Sequence, residues 1–184
     1  TTPVAMWWAF LETENPILDG FYQLNRADTL GKMREAAAKV QAPGLNFVWA
    51  NARGDIGWWA AAQLPIRPQG VNPTFILDGA SPQADKLGFY PFSANPQQEN
   101  PARGYIVSAN YQPPSAVPVP GYYNLPDRGR QLDRHLANPD VKWDTQNSQA
   151  LQLDTTSDYG PRTLAPLLAT LRAVAEGDEE KELV

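Results

Sequence analysis

Proline constrains the fold of this chain more than any other residue type, because eighteen of the 184 residues are proline. Proline fixes φ and lacks a backbone N–H, so it interrupts helices and is excluded from the interior of sheets. Two runs, from Pro65 to Pro101 and from Pro113 to Pro126, concentrate these residues in the middle of the chain. We therefore predict long ordered loops between short strands there, and such loops need a larger body to lie on.

The composition indicates a globular protein and disfavours some classes of binding partner. Apolar residues make up 42% of the chain, yet no apolar run approaches the ~18 residues that cross a bilayer, so no membrane partner is expected. Fifteen basic and twenty acidic residues give a net charge of −5, which disfavours a nucleic-acid partner. The chain has no cysteine, which excludes disulfides, thiol catalysis and cysteine metal sites within it.

The first sixty residues predict a strand, two helices and a hairpin. Residues 4–11 are apolar on both faces, which is typical of a short strand buried on two sides. Two helices follow, with Asn15 and Asp28 in position to cap them. Strands over residues 45–50 and 56–64 are predicted to pair as a hairpin.

The tryptophans of this hairpin allow two interpretations. Exposed indoles could stack on sugar rings, and a non-catalytic carbohydrate- or peptide-binding module would then expose Trp7 or Trp8 together with Trp49 and Trp58. Adjacent Trp58 and Trp59 face opposite sides of a strand, however, so they cannot both belong to one flat platform. Burial of the hairpin tryptophans in a core is therefore favoured.

Residues 104–110 carry the candidate catalytic amide. Tyr105, Ile106 and Val107 favour a strand, which would deliver Asn110 to its end before Pro113 stops regular pairing. A primary amide held at a strand end can donate a hydrogen bond to a developing oxyanion. The alternative is an asparagine that bonds its own backbone in a turn.

The C-terminal third predicts helices. A short helix over residues 128–136 contains Arg128, whose guanidinium the preceding proline-rich loop brings back near Asn110. An ion pair with Asp127 or Asp133 is the alternative for Arg128, and the lone His135 is assigned to a solvated helix face. A second helix begins after Thr163, with Pro166 in its first turn. Its apolar stripe needs a partner surface, and it consists of Leu164, Leu167, Leu168, Leu171 and Val174.

Several motifs share their order and approximate separations with a known family. They are Asn46 to Trp59, Leu64-Pro65-Ile66-Arg67, Asn100-Pro101 leading into 104–110, Pro126-Asp127-Arg128, and Leu132-Asp133-Arg134. On these residues the chain resembles the penicillin acylase family of N-terminal-nucleophile hydrolases, from about Trp8 to the C-terminus. The resemblance implies an α+β fold that is part of a stacked αββα architecture. It also implies that residues 1–184 are a single internal piece of the catalytic β chain.

The resemblance implies specific roles for five residues. Asn110 corresponds to the oxyanion-stabilising amide and Arg128 to the active-site arginine. Trp8 and Leu45 correspond to residues that line the acyl pocket, although both could instead be ordinary core residues. Pro73 lies where calcium-binding members present a proline carbonyl, but residues 115–125 contain no Asp or Glu to complete such a site. Pro73 could instead be a turn residue.

The resemblance also places the nucleophile outside this chain. In the family the first residue of the mature chain attacks an amide while its own α-amino group acts as base, and no cofactor is required. Thr1 is followed by Thr2-Pro3 rather than the family's mature start, so we interpret Thr1 as a fragment boundary. The chain alone is predicted to be inactive. Its expected partners are an N-acyl amide, such as a β-lactam or acyl-homoserine lactone, and the rest of the enzyme, an α chain and the remaining β chain.

The family resemblance further implies a periplasmic or secreted location. Besides the amidase interpretation, the piece could serve only as a structural insert. Separation of Asn110 from Arg128 would favour that alternative.

Overall fold

A computed structural model describes residues 3–175 and 177 of the chain. Its helices and small antiparallel sheets are those of an α+β protein. The chain divides into two compact units, the first formed by Thr1–Ser108 with Gln112–Asn124 and the second by Ala109–Tyr111 with Leu125–Val184. Thr1 and the acidic tail 178–182 lie outside the described residues.

The first unit is built on a three-stranded antiparallel sheet and two helices. The helices are α1 (Ile17–Leu24) and α2 (Leu30–Ala38), and the strands are β1 (Leu45–Ala50), β2 (Ile56–Ala61), β3 (Pro65–Ile66), β4 (Gly88–Phe89) and β5 (Gln97–Glu99). Strands β1, β2 and β5 form one sheet in that order, and β3 pairs with β4 separately. The predicted hairpin is confirmed, with Phe47 opposite Trp59, although its second strand ends at Ala61. The prolines account for the shortness of the later strands.

The core of the first unit lies between α2 and the sheet. Met33 and Ala37 are buried on one face of α2, as their helical spacing predicts, and Val40, just after the helix, is buried with them against the fully buried Trp59. The Trp59 ring lies directly over Gly57, where an added Cβ would come within 2.1 Å of Cη2. Only a glycine at this position leaves room for the indole.

A polar group closes one side of this core. Nε1 of the buried Trp59 donates to Oε1 of Glu99 at 3.0 Å, and Nε of Arg34 donates to the same oxygen at 2.7 Å. Arg34 Nη2 donates to the other carboxylate oxygen. The Arg34 guanidinium holds the pKa of the Glu99 carboxyl below its usual value, with the Trp59 N–H acting in the same direction and partial burial opposing it.

The prediction of a buried strand over residues 4–11 is wrong. These residues pair with no strand in the described chain, and Ala9–Leu11 forms a single 3₁₀ turn. Val4 is 69% exposed, and Trp7 and Trp8 are exposed as well. A strand needs a neighbour to hydrogen-bond with, and β propensity alone does not form one.

The predicted helix caps are displaced. Asn15, at a φ of 42°, lies before α1 but bonds to the backbone of Gln41 and Ala42, so it links the start of α1 to the segment after α2 rather than capping α1. Thr29, not Asp28, caps α2 by accepting from the Lys32 N–H. Asparagine, aspartate and threonine side chains can all hydrogen-bond to free backbone groups. The sequence pattern therefore did not show which of them would cap each helix.

The described residues of the second unit form three helices, α3 (Asp127–Leu136), α4 (Thr145–Gln152) and α5 (Tyr159–Val174). Helix α3 agrees with its prediction. Helix α5 begins earlier than predicted, so Pro166 lies inside it rather than in its first turn. The apolar stripe of α5 is largely exposed in the described residues. Among these residues, no helix is long and apolar enough to span a membrane.

Candidate active site

The segment that carries Asn110 is irregular rather than a strand. Residues 105–108 pair with no strand among the described residues, so the predicted strand is wrong. Asn110 lies in a bend with a φ of 60°, a left-handed conformation that asparagine tolerates better than most residues. The amide is thus presented from a tight turn. A turn at Asn110 is the alternative that the sequence allowed, but the Asn110 side chain bonds to Arg128 rather than to its own backbone.

Arg128 and Asn110 are in direct contact within the second unit. Nη2 of Arg128 donates to Oδ1 of Asn110 at 2.7 Å and to the backbone oxygen of Ala109 at 3.3 Å. Arg128 occupies the first turn of α3, after the helix starts behind Pro126. The guanidinium therefore holds both the side chain and the backbone of the turn.

This hydrogen bond fixes which way the Asn110 amide faces. A guanidinium only donates, so the amide atom facing it must be the oxygen. The amide nitrogen then points away from Arg128, and in the described part of the chain it donates to no other group. The side chain of Asn110 is exposed. The result is an oriented N–H₂ donor that is accessible to a ligand.

The turn is also packed against α3. Ala109 is buried, and the ring of Tyr111 lies on Gly129, where an added Cβ would be 2.6 Å from Cε1. Sequence reasoning did not identify Tyr111 and Gly129 as positioning residues. A glycine inside a helix, where it is a poor helix former, was the available signal of close packing.

Arg128 does not form the predicted alternative ion pair with Asp127. The Asp127 carboxylate instead accepts from Nη2 of Arg162 at 2.6 Å. Among the described residues Arg128 has no carboxylate partner, so its Nε and Nη1 donors remain for a ligand. Arg134 of α3 pairs with Asp158 just before α5, and with the Arg162–Asp127 pair this ties the start of α5 to α3.

His135 contacts Asp154 rather than only solvent. Its Nε2 lies 3.1 Å from the Asp154 carboxylate and 3.1 Å from Gln131 Nε2. Hydrogen bonds from Thr156 lower the pKa of the Asp154 carboxyl. These contacts brace α3 and give His135 a structural place in the second unit.

The predicted acyl-pocket residues do not come together. A cavity of about 760 Å³ in the first unit is lined by apolar side chains that include Trp8, and Pro73 also borders it. Leu45 does not line this cavity and packs against the core instead. The size and apolar walls are those of a small-molecule pocket.

The described residues around Pro73 do not complete a calcium site by themselves. The side-chain oxygen of the neighbouring Asn72 already accepts from the N–H and the hydroxyl of Thr74. Residues 3–175 and 177 contain no group of three or more Asp, Glu, His or Cys side chains that could hold a metal ion. Calcium prefers several hard oxygen ligands, so these residues alone do not form its site.

The hairpin tryptophans do not form a sugar platform. Trp58 is only 7% exposed, and its Nε1 donates to Oδ1 of Asn46 at 2.9 Å. Trp49 pairs with Gly57 in the sheet and so lies on the opposite face from Trp58. Burial of Trp58 and Trp59 confirms their assignment to the core, whereas Trp7 and Trp8, which were predicted in a buried strand, are exposed.

Comparison with known proteins identifies the family. The sequence model described as penicillin amidase matches residues 1–183, which is almost the whole chain. This chain belongs to the penicillin amidase family. The acyl-homoserine lactone acylase QuiP of Pseudomonas aeruginosa is 30% identical over 178 residues, covering 89% of the chain and 20% of that relative. Penicillin G acylase of Escherichia coli is 28% identical over 155 residues, covering 82% of the chain and 18% of the relative.

A solved penicillin G acylase has a similar fold. The thermostable penicillin G acylase from Alcaligenes faecalis superposes with a TM-score of 0.71 at 24% identity, over 86% of this chain and 29% of that one. The chain spans about a fifth of the length of the two curated relatives, QuiP and the Escherichia coli penicillin G acylase.

Proposed function

We propose that this chain is part of an amidohydrolase that cleaves N-acyl amides, and that it supplies the oxyanion-stabilising amide. The observation that carries the proposal is the hydrogen bond from Arg128 to Asn110 Oδ1, which turns the N–H₂ group of Asn110 outward. Membership of the penicillin amidase family and similarity to acylases support the reaction type. An αββα arrangement of the complete enzyme belongs to the same proposal.

In the proposed reaction a nucleophile attacks the carbonyl carbon of the amide, and the carbonyl oxygen becomes negative. The C–N bond then breaks, the amine leaves with a proton, and water hydrolyses the acyl-enzyme to a carboxylic acid. The nucleophile and its α-amino base belong to the remainder of the enzyme, an α chain and the rest of the β chain. This chain alone would therefore not turn over substrate.

Asn110 acts when charge develops on the carbonyl oxygen. Its Nδ2 donor is already oriented, so the hydrogen bond strengthens in the transition state without reorganisation. Arg128 keeps the amide in that orientation, and its permanent charge adds a favourable electrostatic interaction with the oxyanion.

The proposed substrates are N-acyl amides of the β-lactam or acyl-homoserine lactone type, and the proposed location is periplasmic or secreted. The relatives QuiP and penicillin G acylase support these substrate classes by their names. A calcium ion bound in part by the Pro73 carbonyl stays a prediction for the complete enzyme, since its other ligands would come from outside this chain.

The test replaces Asn110 in the intact enzyme that contains this chain. With a chromogenic N-acyl aniline as substrate, Asn110→Ala is expected to lower kcat by roughly 10²- to 10³-fold. Asn110→Gly is the matched control for the backbone, because glycine accepts a φ of 60° without strain. Both variants should lose the same factor in kcat, and Gly should preserve the melting temperature better. A kcat close to that of the wild type in either variant would refute the role of the amide.

A further inference from the structure

The cavity of the first unit contains a cation among apolar walls. Trp7, Trp8, Phe10 and Tyr90 line it together with several prolines, and Arg67 is the charged residue in its lining. Lys86 lies nearby, 3.8 Å above the Trp7 ring, but is paired with Glu12. The lining therefore carries a positive charge and no carboxylate.

The guanidinium of Arg67 is only partly satisfied. Its Nη1 donates to the backbone oxygen of Ala84 at 2.8 Å, which fixes one edge of the group. Its Nε is buried and has no hydrogen-bond partner among the described residues. Arg67 also forms no ion pair in that part of the chain. A buried, unpaired donor on a charged group is costly, so a ligand acceptor would stabilise it.

Arg34 in the same unit shows what the edge of an arginine formed by Nε and Nη2 can bind. Arg34 holds the Glu99 carboxylate with Nε and Nη2, each donating to one oxygen. In Arg67 the carbonyl of Ala84 occupies Nη1 and leaves this Nε and Nη2 edge unbonded among the described residues. That edge matches a carboxylate in a bidentate arrangement.

A second unsatisfied polar atom lies in the same lining. Oε1 of Gln63 is buried without a donor among the described residues. It could accept from a hydroxyl, an amide N–H or a protonated group on a bound molecule. Two unsatisfied polar atoms within large aromatic and proline walls are typical of a site that fixes one polar head of an apolar ligand.

We propose that this cavity binds a small amphiphilic carboxylate, whose head pairs with Arg67 and whose apolar body lies against Trp7, Trp8 and Tyr90. This binding goes beyond the proposed amide hydrolysis and does not depend on it, although hydrolysis would release acids of this class. The cationic lining predicts discrimination against neutral and positively charged molecules of the same shape.

The test uses three probes with one apolar body, namely 4-phenylbutyrate, 4-phenylbutanol and 4-phenylbutylamine. Titration calorimetry on the intact protein measures their Kd. The acid is expected to bind most tightly and the amine most weakly. Arg67→Met should raise the Kd of the acid by roughly tenfold or more and leave that of the alcohol unchanged. Arg67→Lys should fall between, because lysine keeps the charge but not the fork.

Arg26→Met is the matched control, since Arg26 is exposed in the same unit and contacts the Tyr22 ring. It should leave all three Kd values unchanged. Equal affinities for the acid and the alcohol, or an Arg67→Met variant that binds the acid normally, would overturn the proposal. Failure to bind the acid, with a carboxylate of the enzyme itself paired to Arg67, would overturn it as well. None of these outcomes depends on turnover, so this proposal can fail without affecting the proposed catalytic role of Asn110, which is tested separately.

Discussion

Arg128 holds Oδ1 of Asn110 at 2.7 Å with the same nitrogen that contacts the carbonyl of Ala109. One guanidinium nitrogen thus restrains the amide and the backbone that presents it. The orientation of the amide therefore depends on Arg128, while the chemistry of donation depends on Asn110. Substitutions at the two positions should have different kinetic signatures.

Arg128→Met should lower kcat by roughly 10²-fold, because the amide of Asn110 loses both its orientation and a nearby positive charge. Arg128→Lys should recover part of this loss, since an ammonium group supplies charge without the planar fork. Steady-state kinetics of the intact enzyme give both values. Arg130→Met, on the exposed side of the same helix, is the control. Equal kcat values for the Lys and wild-type enzymes would show that the fork is not needed.

Gly129→Ala should misplace the turn without touching either polar side chain. The added Cβ would lie 2.6 Å from Cε1 of Tyr111, so the ring must move, and Asn110 with it. A displacement of about 1 Å can cost up to ~10²-fold in rate, and we expect a loss of about tenfold in kcat. Gly160→Ala is the control, because its Cβ meets no atom within 4 Å. If Gly129→Ala retains full activity, Tyr111 does not position the turn.

Gly57→Ala should destabilise the core of the first unit. Its Cβ would approach Cη2 of Trp59 to 2.1 Å, and the buried indole has no room to move. Overpacking of this kind typically costs about 1–3 kcal/mol, and we expect the upper end. Gly31→Ala in α2 is the opposite case, since nothing lies within 4 Å and alanine favours helix by about 0.5–1 kcal/mol. Urea unfolding should therefore shift in opposite directions for the two variants.

Acid should weaken the first unit through Glu99. The Arg34 guanidinium lowers the pKa of this carboxyl in the folded protein from its ordinary value of 4.5. The resulting stabilisation is present above that ordinary value and is lost as the pH falls through the lower folded-state pKa. Glu99→Gln should therefore reduce the free energy of unfolding at neutral pH and flatten its decrease below about pH 4.5. Glu14→Gln, which removes an exposed carboxylate in the same unit, is the matched control.

The elements that the sequence predicted correctly are those with local signals. The hairpin around β1 and β2 follows from alternation and a turn, and the buried face of α2 follows from helical spacing. Each strand of the hairpin pairs with the other, which lies close by in the same chain, so the sequence pattern is sufficient to predict the pairing. The proximity of Arg128 to Asn110 was also predicted, although the hydrogen bond between them was not, and their catalytic roles stay proposals.

The two wrong strand predictions share a physical cause. Residues 4–11 and 105–107 have strand-forming sequences, but a strand also needs a partner edge, and neither has one among the described residues. Pro166 was placed in a first turn because proline is tolerated there, yet α5 begins at Tyr159. Arg67 and Gln63 could not be selected from sequence, because their unsatisfied atoms appear only when the cavity forms.

The left-handed backbone at Asn110 limits what mutation can achieve there. Glycine, asparagine and aspartate adopt a φ of 60° at the least cost, so a library at this position is conformationally restricted to about these residues. Glycine carries no donor. Aspartate would place a carboxylate against Arg128 and repel a second negative charge. Asparagine is therefore the residue that satisfies both the turn and the chemistry, and improved variants should be sought at the surrounding positions instead.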